Sequence, residues 1–265
     1  MQYQCGLVNK EMETLIVDFV ESYREKNNPE TIWRTPVVGF ADAGDPLFSR
    51  LKKIISPTHA MPQDILPGAR SVIAYFIPFS EDIVKSNSKG TESSREWDYA
   101  CIETNILLGD LNRFLYEEIM AKGFRASLLP PTYNYDEEKL VSDWSHKSAA
   151  FIAGVGTFGI HHVLITERGC CGRVGSIITD MPCKPTPRPE REYCLYKQSG
   201  KCKKCMDRCV SYAFSMEDDE ILYDRRKCSD QIYNGRVPKY PIGDGDACGK
   251  CMSQVPCSFK IPTSK

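Results

Sequence analysis

Cys194…Cys202-Lys203-Lys204-Cys205-Met206-Asp207-Arg208-Cys209, followed by Cys228…Cys248-Gly249-Lys250-Cys251…Cys257, is the stretch on which the reading of this chain turns. It holds eight of the 13 cysteines, in two groups of four, each with a Cys-x-x-Cys pair. Each [4Fe–4S] cluster takes four thiolates. The count therefore points to two [4Fe–4S] clusters in one segment, an arrangement that relays single electrons.

Spacing assigns the ligands. In bacterial ferredoxins the fourth cysteine of each run ligates the cluster of the other run. By that pattern Cys194, Cys202, Cys205 and Cys257 hold one cluster, and Cys209, Cys228, Cys248 and Cys251 hold the second. The outer positions are irregular: Cys194 stands far ahead of Cys202, Val210 replaces the usual proline after Cys209, and Cys257 follows Cys251 at a long interval. Structural zinc also takes four cysteines in Cys-x-x-Cys pairs, although Lys203, Lys204, Arg208, Lys250 and the Cys-x-x-x-Cys step resemble a ferredoxin turn more closely. Disulfides suit a chain with a signal segment and an even cysteine count, whereas this sequence opens without an apolar run and its total is odd.

Composition narrows the partners. The 265 residues suffice for a large domain plus a small one, and a 42% hydrophobic fraction can build a sizeable core. With 34 basic against 35 acidic side chains, no strong field recruits nucleic acid or an anionic membrane. A small-molecule substrate and a protein redox partner are expected instead. The apolar runs fall far short of the ~20 residues of a spanning helix, which points to a cytoplasmic protein in a reducing compartment.

Along the chain, Leu15, Ile16, Phe19, Val20 and Tyr23 repeat at helical spacing and predict a helix over 9–26. Residues 36–41 read as a buried strand, and Asp45-Pro46 as the cap and first turn of a second helix. Val72-Ile73-Ala74-Tyr75-Phe76-Ile77 reads as a central strand covered on both sides and stopped by Pro78. The polar stretch from Glu81 to Arg95 has the character of a mobile surface loop. The longest helix is expected over 96–122, buried through Leu107, Leu111, Phe114 and Leu115 and closed by Lys122-Gly123. Further strands are expected over 124–129, 163–166 and 174–179, and the proline-rich run 182–189 divides a domain of residues 1–181 from a cluster module of residues 182–265.

Gly154-Val155-Gly156-Thr157-Phe158-Gly159 has the spacing of the dinucleotide fingerprint, but that fingerprint follows a strand and opens a helix. Here the alanine-rich helical segment comes before it and the strand after. The glycines are expected instead to let backbone approach a planar ligand.

Taken in order, Pro67-Gly68-Ala69-Arg70-Ser71-Val72, Ala153 to Gly159, Gly175-Ser176-Ile177-Ile178-Thr179-Asp180, Asp224-Arg225-Arg226-Lys227-Cys228 and the split cysteine groups resemble the epoxyqueuosine reductases and their relatives among the reductive dehalogenases. The similarity runs over about residues 36–257. It implies an α+β fold, with a central β-sheet flanked by helices and a C-terminal ferredoxin-like two-cluster module docked against it. It also implies a cobalamin approached by Gly154, Gly156 and Gly159. Electrons would come from a ferredoxin or flavodoxin-like donor, pass through the clusters to the corrinoid, and reach a small-molecule substrate. One segment departs from the family: the Asp-Ser-x-Pro-like stretch with the catalytic aspartate reads Lys139-Leu140-Val141-Ser142-Asp143-Trp144-Ser145-His146, with Asp143 out of register and no proline. A divergent branch of the superfamily is therefore favoured over an enzyme of tRNA. Proton donors are expected among His146, Asp143 and His161, with His162, Tyr133 and Tyr135 behind them. Two alternatives stay open, a cluster-bearing electron carrier without corrinoid and a true epoxyqueuosine reductase. Cys170-Cys171 read as buried thiols, and Cys5, Cys101 and Cys183 receive no role.

Overall fold

A strand apolar at successive positions must be covered on both faces, and the residues around Val72–Ile77 meet that condition. The structure, a computed structural model, describes residues 2–235 and 237–263, with side chains from residue 6 onward. Strand β2 (Ser71–Pro78) is buried along its whole length, after helix α1 (Gln2–Asn27), β1 (Val37–Asp42), α2 (Pro46–Ile54) and the short α3 (Pro62–Ile65). Pro78 is the last paired residue of β2, opposite Gly172, so it closes the strand from inside. Then come α4 (Glu81–Ser86), α5 (Arg95–Ala121), the short pair β3 (Tyr135–Asp136) and β4 (Val141–Ser142), α6 (His146–Ile152), β5 (Gly156–Phe158), β6 (Leu164–Thr166) and β7 (Gly172–Thr179). The main sheet has the order β1-β2-β7, antiparallel throughout.

Alternate residues of β2 enter two separate cores. Val72, Ala74 and Phe76 pack with Phe48 and Leu51 of α2 and Ala149, Ala150 and Ile152 of α6. Ile73, Tyr75 and Ile77 pack with Met12, Ile16 and Val20 of α1 and Leu107, Leu111 and Leu115 of α5. The result is a mixed α and β architecture of small antiparallel sheets, with helices on both faces of the largest. Asp45 caps α2 by accepting from Leu47 N–H at 2.9 Å, and Pro46 occupies its first turn, a cap worth about 1 kcal/mol. The strand expected over 124–129 reduces to one bridge, Ala126 with Thr179.

The cysteine-rich tail consists of α7 (Leu195–Ser199), α8 (Lys204–Asp207), the hairpin β8 (Phe214–Glu217) and β9 (Glu220–Tyr223), α9 (Arg225–Tyr233), and the hairpin β10 (Lys239–Tyr240) and β11 (Gly243–Asp244). A third core joins it to the rest: Cys194, Cys205 and Val255 pack with Phe79, Val84, Trp97, Ile160, Cys170 and Cys171. The stretch from Glu81 to Arg95 corrects the expectation of a mobile loop. It forms α4, and Asn87, fully buried, donates to Cys248 O at 2.8 Å and to Ser253 Oγ at 3.2 Å. Lys250, 1% exposed, donates back to Asn87 O at 3.1 Å and Lys89 O at 2.7 Å, and Arg208 donates to Ser88 O at 2.8 Å. The segment is fastened to the tail through the Asn87 amide and the backbone carbonyls of Asn87, Ser88 and Lys89. Among the described residues no helix is long and apolar enough to cross a membrane.

Candidate functional site

Cys194, at the N-terminal end of α7, Cys202, Cys205 in α8, and Cys257 line one apolar cavity together with Ile160, His161, Ile165 and Val255. Three of these cysteines are near in sequence; Cys257 arrives from the far end of the chain. It is set by a tight turn in which Val255 N–H donates to Ser258 Oγ at 2.8 Å and Ser258 N–H donates to Val255 O at 2.9 Å. Cys170 N–H donates to Cys257 O at 2.9 Å, and Arg34 donates to Phe259 O at 3.1 Å and Arg168 O at 3.0 Å, so the same guanidinium holds both segments. Burial pushes the Cys205 thiol up to about 12, and the charges of Cys257, Cys194 and Cys202 add to that rise. Cys257 is raised as well, first by its hydrogen bond with Cys170 and then by burial.

The second group is Cys209, Cys228 in α9, Cys248 and Cys251. Cys251 is pushed well above the ordinary thiol range, first by burial and then by the charges of Cys248, Cys228 and Cys209, with Cys205 of the first group after them. Cys248 is raised by burial, with Cys228 and Cys209 adding. The thiols of this group thus act on one another electrostatically, and Cys205 of the first group acts on Cys251. Cations border this group: Lys147 has an exposed stem, but its ammonium turns back to His162 O at 3.2 Å, where burial and Arg225 lower its pKa and the Cys228 and Cys251 charges raise it. Tyr223, stacked on His162 with centroids 4.7 Å apart, is raised by burial and by its hydrogen bond to Cys228.

Thiolates this buried are costly unless a cation sits among them. The size of that cation follows from the spacing. A tetrahedral zinc with Zn–S of about 2.3 Å brings its sulfurs to about 3.8 Å of one another. Among the described residues the one set of three or more His, Cys, Asp or Glu ligand atoms within 4.8 Å of one another is His161, Cys170 and Cys257. Among the described residues, neither four-cysteine group brings three of its sulfurs that close to one another.

Other expected site residues lie differently. His146 is buried with both ring nitrogens engaged: Nδ1 accepts from Ser176 Oγ at 2.8 Å, and Nε2–H donates to Pro130 O at 3.0 Å. Ser176 Oγ in turn accepts from Trp144 Nε1–H at 3.0 Å. Burial lowers the pKa of His146, and with both ring nitrogens engaged it braces Ser176 against Pro130. Asp143 is half-buried and accepts from Thr58 Oγ1 at 2.5 Å. His161 is at the first thiol group, its pKa lowered by burial to about 3.

The glycine row is closed in by the chain. Cβ atoms at Gly154 and Gly156 would lie 2.7 Å from Pro187 O and 2.0 Å from Ile165 O, and one at Gly159 would lie 2.5 Å from the His161 ring. The space beside each glycine is filled by the chain itself, so these residues are no argument for a corrin. Sequence reasoning missed Arg34, Asn87, Lys147 and Tyr223, since nothing local marks a residue whose partner lies far along the chain. Cys5 is outside the described side chains.

No protein-family model and no curated protein matches the chain. Solved structures do. An epoxyqueuosine reductase crystallised with an epoxyqueuosine-modified tRNA-Tyr stem loop aligns at 18% identity and TM-score 0.52, covering 93% of this chain and 66% of that one. A catabolic reductive dehalogenase aligns at 17% identity and TM-score 0.56, covering 85% of this chain and 30% of that one. A reductive dehalogenase structure described for B12-dependent dehalogenation aligns at 17% identity and TM-score 0.54, with the same coverage of 85% and 30%. The chain thus spans just under two thirds of the epoxyqueuosine reductase and under a third of the dehalogenases. It shares the fold of these structures at low sequence identity.

Proposed function

We propose that this chain is an iron–sulfur reductase of the cytoplasm. One [4Fe–4S] cluster is held by Cys194, Cys202, Cys205 and Cys257 and one by Cys209, Cys228, Cys248 and Cys251, within a module of residues 182–265 docked on a substrate-side domain of residues 1–181. The observation that carries this reading is the gathering of buried thiols, raised by burial and by one another, into two groups of four in which no three sulfurs lie within 4.8 Å of one another among the described residues. Clusters bound there supply one-electron relay chemistry. The protein's part is to exclude water from the first group with Ile160, Ile165 and Val255 and to leave the second nearer to solvent. A ferredoxin or flavodoxin-like donor would approach the α9 side, where no residue is buried. Asp143, half-buried, stays the proposed proton donor toward a small-molecule substrate.

The corrinoid is a weaker fit. The glycines expected to approach it are packed against the chain, and both nitrogens of His146 are taken. That observation favours a second reading, an electron carrier with clusters and no corrinoid. The tRNA stem loop belongs to the neighbouring structure, and a balance of 34 basic to 35 acidic residues gives this chain no net positive charge to attract one.

Anaerobic purification with metal and sulfide analysis tests the central claim, with about eight irons and eight sulfides per chain expected for two cubanes. Stoichiometric zinc without the broad visible absorbance of a cluster would overturn it. Titration of the loaded protein with cobalamin then separates the readings, binding supporting the corrinoid reductase and lack of binding the carrier.

A further inference from the structure

Cys257 is the ligand that the first group takes from the end of the chain, and its sulfur meets a side chain of the preceding domain. His161 Nε2 lies 3.6 Å from Cys257 Sγ. The ring is 4% exposed, and its Nδ1 accepts a hydrogen bond from Val163 N–H at 3.2 Å. A ring nitrogen that accepts carries no proton, so the one proton of this imidazole is on Nε2, facing the sulfur. The same geometry says what His161 is not. A metal-ligating histidine donates its other ring N–H to an acceptor; His161 accepts there, and ligation through Nε2 would require a ring stripped of both protons. The close trio of His161, Cys170 and Cys257 is accordingly a hydrogen-bonded surround of one sulfur.

We propose that His161 donates its Nε2–H to the Cys257 sulfur and thereby raises the reduction potential of the cluster on Cys194, Cys202, Cys205 and Cys257; the proposal rests on the iron–sulfur reading above. Hydrogen bonds to ligand sulfurs are one of the protein's means of setting a cluster's potential. A donor dipole with its positive end at the sulfur stabilises the form carrying the added electron, and an apolar cavity weakens that interaction far less than water would. The ring is held in place from behind. A Cβ at position 159 would lie 2.5 Å from His161 Cε1 and 2.8 Å from Nδ1, so glycine at that position lets the ring reach Cys257. From another side, Cys170 Sγ lies 3.9 Å from the Cys257 sulfur while its backbone N–H anchors Cys257 O at 2.9 Å. His161 is thus a positioning and tuning residue with no proton to deliver to substrate.

The test is a redox titration of the anaerobically purified full chain, followed by electron paramagnetic resonance so that the two clusters are resolved. His161→Phe keeps a ring and removes the N–H. Its expected result is full iron content, one potential shifted to more negative values and the other unchanged. His161→Gln, whose amide N–H can approach the same sulfur, restores most of the shift. Gly159→Ala displaces the ring with the histidine intact and gives an intermediate shift, which keeps the proposal falsifiable where the phenylalanine variant does not fold. Unchanged potentials in His161→Phe, or in Gly159→Ala where only that variant folds, overturn the inference while the iron–sulfur reading stands. So does loss of half the iron from a folded His161→Phe protein, which would mark a ligand. Wild-type protein that takes up no iron overturns the reading, and the inference with it.

Discussion

The two cysteine groups share a ligand count and differ in nearly everything around it. In the first, Cys194 and Cys205 are 7% and 6% exposed, the lining is aliphatic, and the polar neighbour of the Cys257 sulfur is the His161 ring. In the second all four cysteines are half-buried, Cys228 sits on a helix with no buried residue, and the neighbours include Lys147 and Arg225. Two cysteines of the first group, Cys194 and Cys205, belong to the hydrophobic core, whereas the second group touches that core through the partly buried Cys251. The difference teaches that the fold depends on the first group more than on the second. It also means that fixed charge acts mainly on the second, and both statements can be broken by substitution.

The largest effect is expected from Cys205→Ser. It removes a ligand from a site packed with Phe79, Trp97 and Ile160, and leaves a buried hydroxyl that costs about 1–3 kcal/mol if unpaired, in addition to the binding energy of the lost cluster. Cys228→Ser is expected to lose the other half of the iron with a much smaller fall in melting temperature. Iron analysis and thermal unfolding of the two variants check this. Equal destabilisation would erase the contrast.

Asn87→Ala comes next, because it cuts the link between α4 and the tail at Cys248 O and Ser253 Oγ. Three hydrogen bonds of a buried amide are lost, the third being the one Asn87 Oδ1 accepts from Ser94 N–H, for about 1–3 kcal/mol and a melting-temperature fall of about 2–10 °C. Limited proteolysis at Lys85 and Lys89 should rise with it. Resistance equal to wild type would show that Lys250 and Arg208 hold the segment unaided. This is also where the sequence was least legible. Serines, lysines and asparagine between 85 and 94 have the composition of a free loop, and their partners at 248–253 are beyond any local pattern. The strand at 71–78, by contrast, announced its own burial, since an apolar run without alternation has to be covered on both faces. The cysteine grouping could be proposed for a similar reason, since ligand count is written in residue type. The roles of His146 and of the glycines were not legible, because only the fold shows that Ser176 and Pro130 occupy the ring nitrogens and that the chain packs on Gly154 and Gly156.

Lys147→Met probes the charged side of the contrast. The ammonium interacts with Cys228 and Cys251, so its removal should make the second cluster harder to reduce and leave the first unmoved. A partly exposed charge contributes about 1 kcal/mol or less, which corresponds to a shift on the order of tens of millivolts, since ~59 mV is a tenfold change for a one-electron couple. The same titration reads both potentials. A shift in the first cluster alone would mean that the ammonium acts through His162 and its neighbour His161.

The smallest effect separates the two environments without any mutation. Raising salt from about 0.1 M to about 1 M shortens the screening length from about 10 Å to about 3 Å. Charges near solvent are screened and buried dipoles are not. The potential of the second cluster, supported by Lys147 and Arg225, should therefore drift to more negative values as salt rises. That of the first, supported by a hydrogen bond inside an aliphatic cavity, should hold. Two potentials that move together would show that solvent reaches both groups alike, and the distinction between a core-bound and a surface-bound group would fail on its own electrostatic terms.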